Sequence, residues 1–481
     1  MPDSSTAPCL VWFRQDLRIH DNPALQAAIE RGGPIVPVFI CDEKGEGQWS
    51  FGGATKWWLY HALKDLADQL ADYDLRLIIR RGQTGAELKQ LLQDTRADAV
   101  YWNRRYEPDV IKRDTQIKET LTADGFEVES FNASLLFEPW KIKNQSGKPF
   151  QVFTPYWKHC LKQDIVPPVS VDHRQARPLS EQPASLELDE LELLPTIKWD
   201  SGFYDFWTPT STAARQRLGK LAASGASGYV SDRDRPDMDG TSRLSPYLHF
   251  GQIGPREVFA AFDKHDSTGV KGGKKFLSEV GWREFSHHLM FHFPHTPTDA
   301  LRPEFNHFPW EMDEQLLRAW QKGETGYPIV DAGMRQLWAT GWMHNRVRMI
   351  VASILVKHLL IPWQEGARWF WDTLVDADLA NNTQGWQWSA GCGADAAPYF
   401  RVFNPILQGQ KFDPNGDYVR EWVPELRLVE TKVIHEPWEA GFDQLNRVVI
   451  GRDYPAPIVD HKRGRNRALQ AYEKLKALRS K

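Results

Sequence analysis

Trp342-Met343-His344-Asn345-Arg346-Val347-Arg348-Met349 opens the stretch on which the reading of this 481-residue chain turns. The stretch runs through Asp376-Ala377-Asp378-Leu379-Ala380-Asn381-Asn382 and Trp386-Gln387-Trp388, and closes on Ala397-Pro398-Tyr399-Phe400-Arg401-Val402-Phe403-Asn404-Pro405. A packed core would use aliphatic residues here, and a solvated face would use lysine and glutamate. Tryptophans, asparagines and arginines mixed with two closely spaced aspartates suit a large, flat, partly polar ligand with an anionic ligand nearby. Asn345 and Met349 are four residues apart, as are Asp378 and Asn382, so each pair shares a helical face.

Around this stretch, helical patterns broken by Gly, Pro and Asn dominate from Thr208 onward, with almost no strand-like alternation. Tryptophans concentrate on this side: twelve of the 21 fall between Trp282 and Trp438, which points to a specialised aromatic half and not to a uniformly aromatic core. In Phe276-Leu277-Ser278-Glu279-Val280-Gly281-Trp282-Arg283-Glu284-Phe285, residues Glu279, Trp282 and Arg283 share one helical face. A carboxyl beside tryptophan is expected to be desolvated, which disfavours its charged form. The competing reading is a surface Glu279–Arg283 ion pair. Upstream, Tyr229 precedes Ser231-Asp232-Arg233-Asp234-Arg235-Pro236 and Thr241-Ser242-Arg243-Leu244-Ser245-Pro246. Such hydroxyls either cap a helix or, with the same free N–H groups, receive a phosphate.

The N-terminal third alternates short apolar runs with helical patterns. Strands are expected over 10–13, 35–40, 75–79, 99–102 and 126–130, and helices over 22–30, 54–71, 84–92 and 108–123. That alternation implies a parallel sheet, because parallel strands need crossovers. No GxGxxG follows the first strand and no GxxxxGK[ST] occurs, so a nucleotide cradled by a glycine-rich loop is not expected in this region. Periodicity then fades in a proline-punctuated stretch. The expected architecture is an α/β doubly wound parallel sheet domain over 1–137, an interdomain linker over 138–205 and a mostly α-helical domain over 206–481.

Net charge is −4, so a nucleic-acid surface must be a local basic patch. Four scattered cysteines form no CxxC pair, which argues against a zinc site or a disulfide scaffold and suits a reducing compartment. No signal peptide is expected from Met1 to Pro8, and the longest apolar run, 349–360, is interrupted by Lys357 and His358 and is too short to span a bilayer. A cytoplasmic protein without membrane association is expected.

With these motifs in place, the chain resembles the DNA photolyase and cryptochrome family, from Val11-Trp12-Phe13-Arg14-Gln15-Asp16-Leu17-Arg18 to the region of Asp453-Tyr454-Pro455. The resemblance implies that the helical domain binds FAD. It implies that Thr241, Ser242, Arg243, Leu244 and Ser245, with Tyr229 beside them, hold the flavin diphosphate. Phe276 walls the flavin where the best-known relatives carry tryptophan. Arg348 is expected to pair with Asp376, Asp378 to accept from the isoalloxazine ring, and Asn382 to face its N5. Asparagine offers N5 no readily lost proton, so anionic reduced flavin is expected to persist. Trp386, Trp363 and Trp310 match the family's tryptophan chain, which carries electrons to photoexcited oxidised flavin. Glu279, Asn345 and Met349 are expected at the lesion, with Trp282 and Trp388 stacking on it after it flips from the duplex. Arg233, Arg283, Arg346 and Arg401, with Gln408, are the expected DNA-binding rim. For the N-terminal domain the resemblance implies an antenna chromophore, methenyltetrahydrofolate in preference to deazaflavin. Trp57, Trp58 and Glu107 are candidate contacts, set against plain packing for the tryptophans and a surface position for Glu107.

The function so implied is light-dependent repair of UV-damaged DNA. Photoexcited reduced FAD passes an electron to a flipped cyclobutane pyrimidine dimer, in a carbon–carbon lyase reaction without metal or net redox change. Relatives that repair the (6-4) photoproduct typically carry His-His where His344-Asn345 stands. The rival from another class is a signalling photoreceptor. Asn345, Met349 and Asn382 weigh against it, as does the lack of a long polar tail after the basic 460–481 segment. A monomer is expected.

Overall fold

Five strands, β1 (Cys9–Phe13), β2 (Pro34–Cys41), β3 (Ile78–Arg81), β4 (Ala99–Asn103) and β5 (Glu127–Phe131), lie parallel in the order β3-β2-β1-β4-β5. The computed structural model describes residues 7–224, 226–263, 271–396, 398–399 and 401–479, so Met1 and Ala397 and Phe400 of the opening stretch lie outside the described residues. β1 is the centre of the sheet, and all five of its residues are buried because helices cover both faces. Helix Pro23–Arg31 shows how locally these elements are specified. Asn22 caps it by accepting from the Leu25 N–H, proline occupies the first turn, and Gly32 closes it at φ 87°.

Most expected elements are present, with two differences. The strand expected over 75–79 begins at Ile78, because Leu75 still closes the preceding helix by donating its N–H to the Leu70 carbonyl at 3.1 Å. The proline-rich linker is not featureless either. It holds a helix, Phe153–Cys160, and a short strand, Arg177–Pro178, that pairs with the start of β2. The linker helix lies against the long helix Lys271–His292 at Gly281, where a Cβ would stand 2.6 Å from the Trp157 ring.

The sheet half and the helical half are locked by buried polar contacts. Arg18, 1% exposed, donates to the carbonyls of Gly251, Asp21 and Ala133. Trp58 donates its indole N–H to Gln252 at 2.8 Å. The helical half is built from Lys271–His292, Pro328–Thr340, Asn345–Ser353, Trp363–Thr373 and Leu379–Ala390. Among the described residues no helix is long and apolar enough to cross a membrane.

Candidate functional site

A cavity of about 560 Å³ opens between the Lys271–His292, Asn345–Ser353 and Leu379–Ala390 helices and the 229–249 segment. Its volume lies within the roughly 300–1,000 Å³ of pockets that enclose organic ligands. Tyr229, Ser242, Leu244, Ser245 and Phe276 line one side. Arg348, Asp376, Asp378, Asn382 and Trp386 line another. Glu279, Trp282, Arg283, Asn345, Met349 and Trp388 border it with Arg233 and Arg346. Residues from five separate segments therefore converge on one space.

The polar geometry within it is specific. Nη2 of Arg348 lies 3.0 and 2.9 Å from the two Asp376 oxygens, and the Ser245 hydroxyl donates to the same carboxylate at 2.6 Å. Asp378 caps its helix by accepting from the Asn381 N–H at 2.8 Å. Its other oxygen faces two imidazoles, His287 Nε2 at 3.4 Å and His249 Nδ1 at 3.5 Å. Burial alone would push the Asp378 carboxyl up, but the two histidines hold it well below the ordinary carboxylate range. The Asn382 amide N–H donates to the Ala367 carbonyl at 2.9 Å, which leaves its Oδ1 as the atom free to turn to the cavity. Apolar walls come from Phe276, Leu248, Leu289 and Phe370.

At the rim the structure corrects the expectation for Glu279. Its carboxylate is not desolvated against tryptophan. It is held by Arg233 at 2.5 Å and Lys275 at 3.0 Å, the opposite charges supplied by the neighbouring loop and the preceding turn. Nor does Glu279 pair with Arg283, which turns away to donate to the Ser134 carbonyl at 2.6 Å and lies 3.7 Å from Glu284. Arg346 pairs with Asp234 at 2.8 Å. Trp282 is stacked on Phe153 of the linker helix, with ring centroids 3.8 Å apart and planes 10° from parallel.

Other expected site residues stand outside this cavity. Arg243, at φ 49°, is directed away from the cavity, over the rings of Phe206 and Trp342, and pairs with Asp239. Thr241, Arg401 and Gln408 do not line it. The hydroxyl cluster does not cap the following helix either: Leu244 occupies the cap position, and Ser242 Oγ accepts from the Leu244 N–H at 3.3 Å. Trp363 is 2% exposed, on the helix that meets Trp386 at Gly366, while Trp310 is half-buried beside Phe308.

Trp57 and Trp58 are fully buried in the seam between the two halves, against Phe203, Tyr204, Trp207 and Tyr247. Glu107 is not a surface residue. It lines a second cleft of about 130 Å³ with Gln15, Trp49, Arg105, Trp371 and Leu379. The crevice beyond the carboxyl ends of β1, β2 and β4 is nearly filled. Arg14 and Arg113 enclose the Trp12 ring, Arg105 grips Glu46 through two 2.7 Å bonds, and only about 30 Å³ remains.

Sequence reading missed His249, His287, Phe153 and Phe370. The one available signal was the polar Ser286-His287-His288 run on the buried side of an otherwise amphipathic helix.

Comparison with known proteins agrees with this geometry. Residues 276–474 match the model of the FAD binding domain of DNA photolyase, and 9–175 match the DNA photolyase model. A deoxyribodipyrimidine photo-lyase from Agrobacterium fabrum is 48% identical over 482 residues, 98% of each chain. Cryptochrome-2 from Arabidopsis thaliana is 40% identical over 94% of this chain and 76% of that protein. The crystal structure of a bacterial class III photolyase from Agrobacterium tumefaciens superposes with a TM-score of 0.95 at 47% identity, covering 98% of both chains. A sheet half plugged at its strand ends, a helical half built round one polar cavity and these matches together place the chain in the DNA photolyase family, with the family's FAD-binding domain in its helical half.

Proposed function

We propose that this protein repairs UV-damaged DNA in the light by splitting cyclobutane pyrimidine dimers, a deoxyribodipyrimidine photo-lyase reaction. The observation that carries the reading is the single cavity that gathers Asp378 and Asn382 with Glu279, Asn345, Met349, Trp282 and Trp388. The residues present fit FAD: hydroxyls and backbone at one side, the aspartate and asparagine pair at the other, apolar walls between them. Bound reduced FAD supplies the photoexcited electron that opens the cyclobutane ring and takes it back afterwards.

The chain's own residues do the rest. Tyr229, Ser242, Leu244 and Ser245 border the diphosphate, with Thr241 and Arg243 supporting that loop from outside. Arg348 fixes Asp376, and Ser245 adds a second hold on the same carboxylate. Asn382 presents Oδ1, an acceptor, and so offers N5 no readily lost proton. Glu279 hydrogen-bonds the flipped dimer once Arg233 is drawn to a DNA phosphate, while Asn345 and Met349 form the pocket floor. Arg233, Arg283 and Arg346 take phosphates at the mouth, and Arg401 and Gln408 take them outside it. Trp386, Trp363 and Trp310, the first two buried and the last half-buried, carry electrons inward when the flavin is oxidised.

For an antenna, the cleft that Glu107 lines with Arg105, Trp49 and Trp371 supports an accessory chromophore site, and we assign it to methenyltetrahydrofolate over deazaflavin. Trp57 and Trp58 then serve as packing. The domain limits 1–137, 138–205 and 206–481 and a monomeric state complete the reading. The four cysteines, all unpaired, suit the cytoplasm.

The experiment is a repair assay on the reduced protein, with one oligonucleotide carrying a thymine cyclobutane dimer and another a (6-4) photoproduct. Loss of the cyclobutane dimer only under blue or near-UV light is the expected result. Flavin photoreduction with neither lesion repaired would favour the photoreceptor reading suggested by the plant cryptochrome.

A further inference from the structure

His287 sits one turn beyond Arg283 on the Lys271–His292 helix, buried behind the cavity wall. Its Nδ1 lies 3.0 Å from the Arg283 carbonyl oxygen, and its Nε2 lies 3.4 Å from Asp378 Oδ2. Both neighbours only accept. An imidazole ring can donate from both nitrogens only when it is the cation. His249 is different. Gln15 donates its amide N–H to His249 Nε2 at 3.2 Å, so that nitrogen is an acceptor and the ring proton belongs on Nδ1, toward Asp378 at 3.5 Å. Of the two imidazoles at Asp378, only His287 faces acceptors at both nitrogens.

We propose that His287 is the charge partner that lets the cavity hold a reduced, anionic flavin, acting through Asp378 as a positioning residue. The proposal rests on the reading that Asp378 faces the isoalloxazine ring. The charges around the ring then balance: Arg348 neutralises Asp376, and His287 neutralises Asp378. Without the imidazolium, an uncompensated carboxylate would stand beside a ring that must itself accept negative charge, in a site where burial weakens screening. The other charges near His287 do not replace it. Arg283 is directed to the Ser134 carbonyl, and Glu284 is turned to the backbone N–H groups of Leu136 and Phe137. Burial by itself would lower the His287 pKa, yet the Asp378 charge and hydrogen bond more than offset it, so the shift is upward. Gln15 extends the set into the sheet half, since it also lines the Glu107 cleft.

The test is spectroelectrochemical titration of the FAD-loaded full chain. His287→Gln keeps hydrogen-bonding capacity without charge, and its flavin midpoint potential is expected to move negative. His287→Lys restores a cation and is expected to bring the potential back toward wild type. A merely structural role would not rank the two variants by charge. A potential unmoved in His287→Gln, with FAD content and melting temperature intact, overturns the proposal. Asp378→Asn separates the underlying reading: it is expected to alter the absorption spectrum of bound FAD, and an unaltered spectrum would remove Asp378 from the ring and the proposal with it. A ¹⁵N-histidine spectrum of the wild-type chain at neutral pH needs no variant to fold. One ring protonated on both nitrogens supports the assignment, and none overturns it.

Discussion

Arg233 donates to Glu279 across 2.5 Å, so the carboxyl proposed to meet a lesion is already partnered before any DNA arrives. On the proposed function, entry of DNA is an exchange, in which a phosphate draws Arg233 away and the lesion takes its place at the carboxylate, with Lys275 remaining 3.0 Å from it. A hydrogen bond to a charged group is worth about 1.5–3 kcal/mol. Glu279→Gln is therefore expected to lower the repair yield per absorbed photon severalfold or more while leaving dimer-DNA affinity equal or tighter, because Arg233 is released. Repair yield and a filter-binding isotherm on the same preparation check both halves.

The salt dependence of binding follows from the same rim. Arg233→Ala and Arg346→Ala should each weaken binding to all duplexes and each flatten the slope of log affinity against log salt by about one. The effect is smaller for damaged-strand selectivity, which belongs to the stacking and lesion contacts. Titrations at several salt concentrations, with and without a dimer, distinguish the two terms.

Gly366 sits where a Cβ would come within 2.0 Å of the Trp386 ring. Helix propensity favours alanine over glycine by about 1 kcal/mol, but overpacking a tight contact costs about 1–3 kcal/mol. The steric term is expected to win, since the ring is pinned on other sides by Phe370 and Trp320. Gly366→Ala should lower the melting temperature and slow light-driven reduction of oxidised FAD. Chemically reduced protein should still repair, and the same split is expected, more completely, for Trp386→Phe.

Glu284 offers a pH signature. Burial pushes its carboxyl up to about 7, against the pull of Arg283 and of its two backbone donors. The unfolded chain loses this proton near the ordinary glutamate value of about 4.3, so the folded state binds more protons between there and about 7, and stability from this group falls as pH rises through that window. His344, held down to about 4 by burial, acts oppositely, adding stability as pH rises toward about 6.5. The two trends overlap, so the informative quantity is the difference between wild type and Glu284→Gln. Denaturant titrations from pH 4.5 to 8 should show the wild-type advantage shrinking with pH.

How much of this was legible beforehand depended on how local the cause was. Helix Pro108–Ala123 carries its own start signal and period, and its limits are as expected. The strand at Ile78 was misplaced because Leu75 looks apolar whether it ends a helix or begins a strand. The helix Phe153–Cys160 was missed because Thr154 and Pro155 argue against it locally, and packing on Trp282 and Gly281 overrides them. Asp376 and Arg348 could be paired through a family pattern. No spacing reveals that His287 lies between two acceptors, because one is a backbone carbonyl and the other arrives from a helix about ninety residues on.

The Phe153 ring covers one side of Trp282 at 3.8 Å. A wedge that prises a duplex apart by slipping between neighbouring bases needs two free faces, and Trp282 has one. On the proposed function, nucleobases would meet it as the last layer of a stack whose foundation is protein. On that reading, whatever opens the double helix would act before this indole is reached, and the tryptophan would serve as an end wall, judging what has been extruded without doing the extruding.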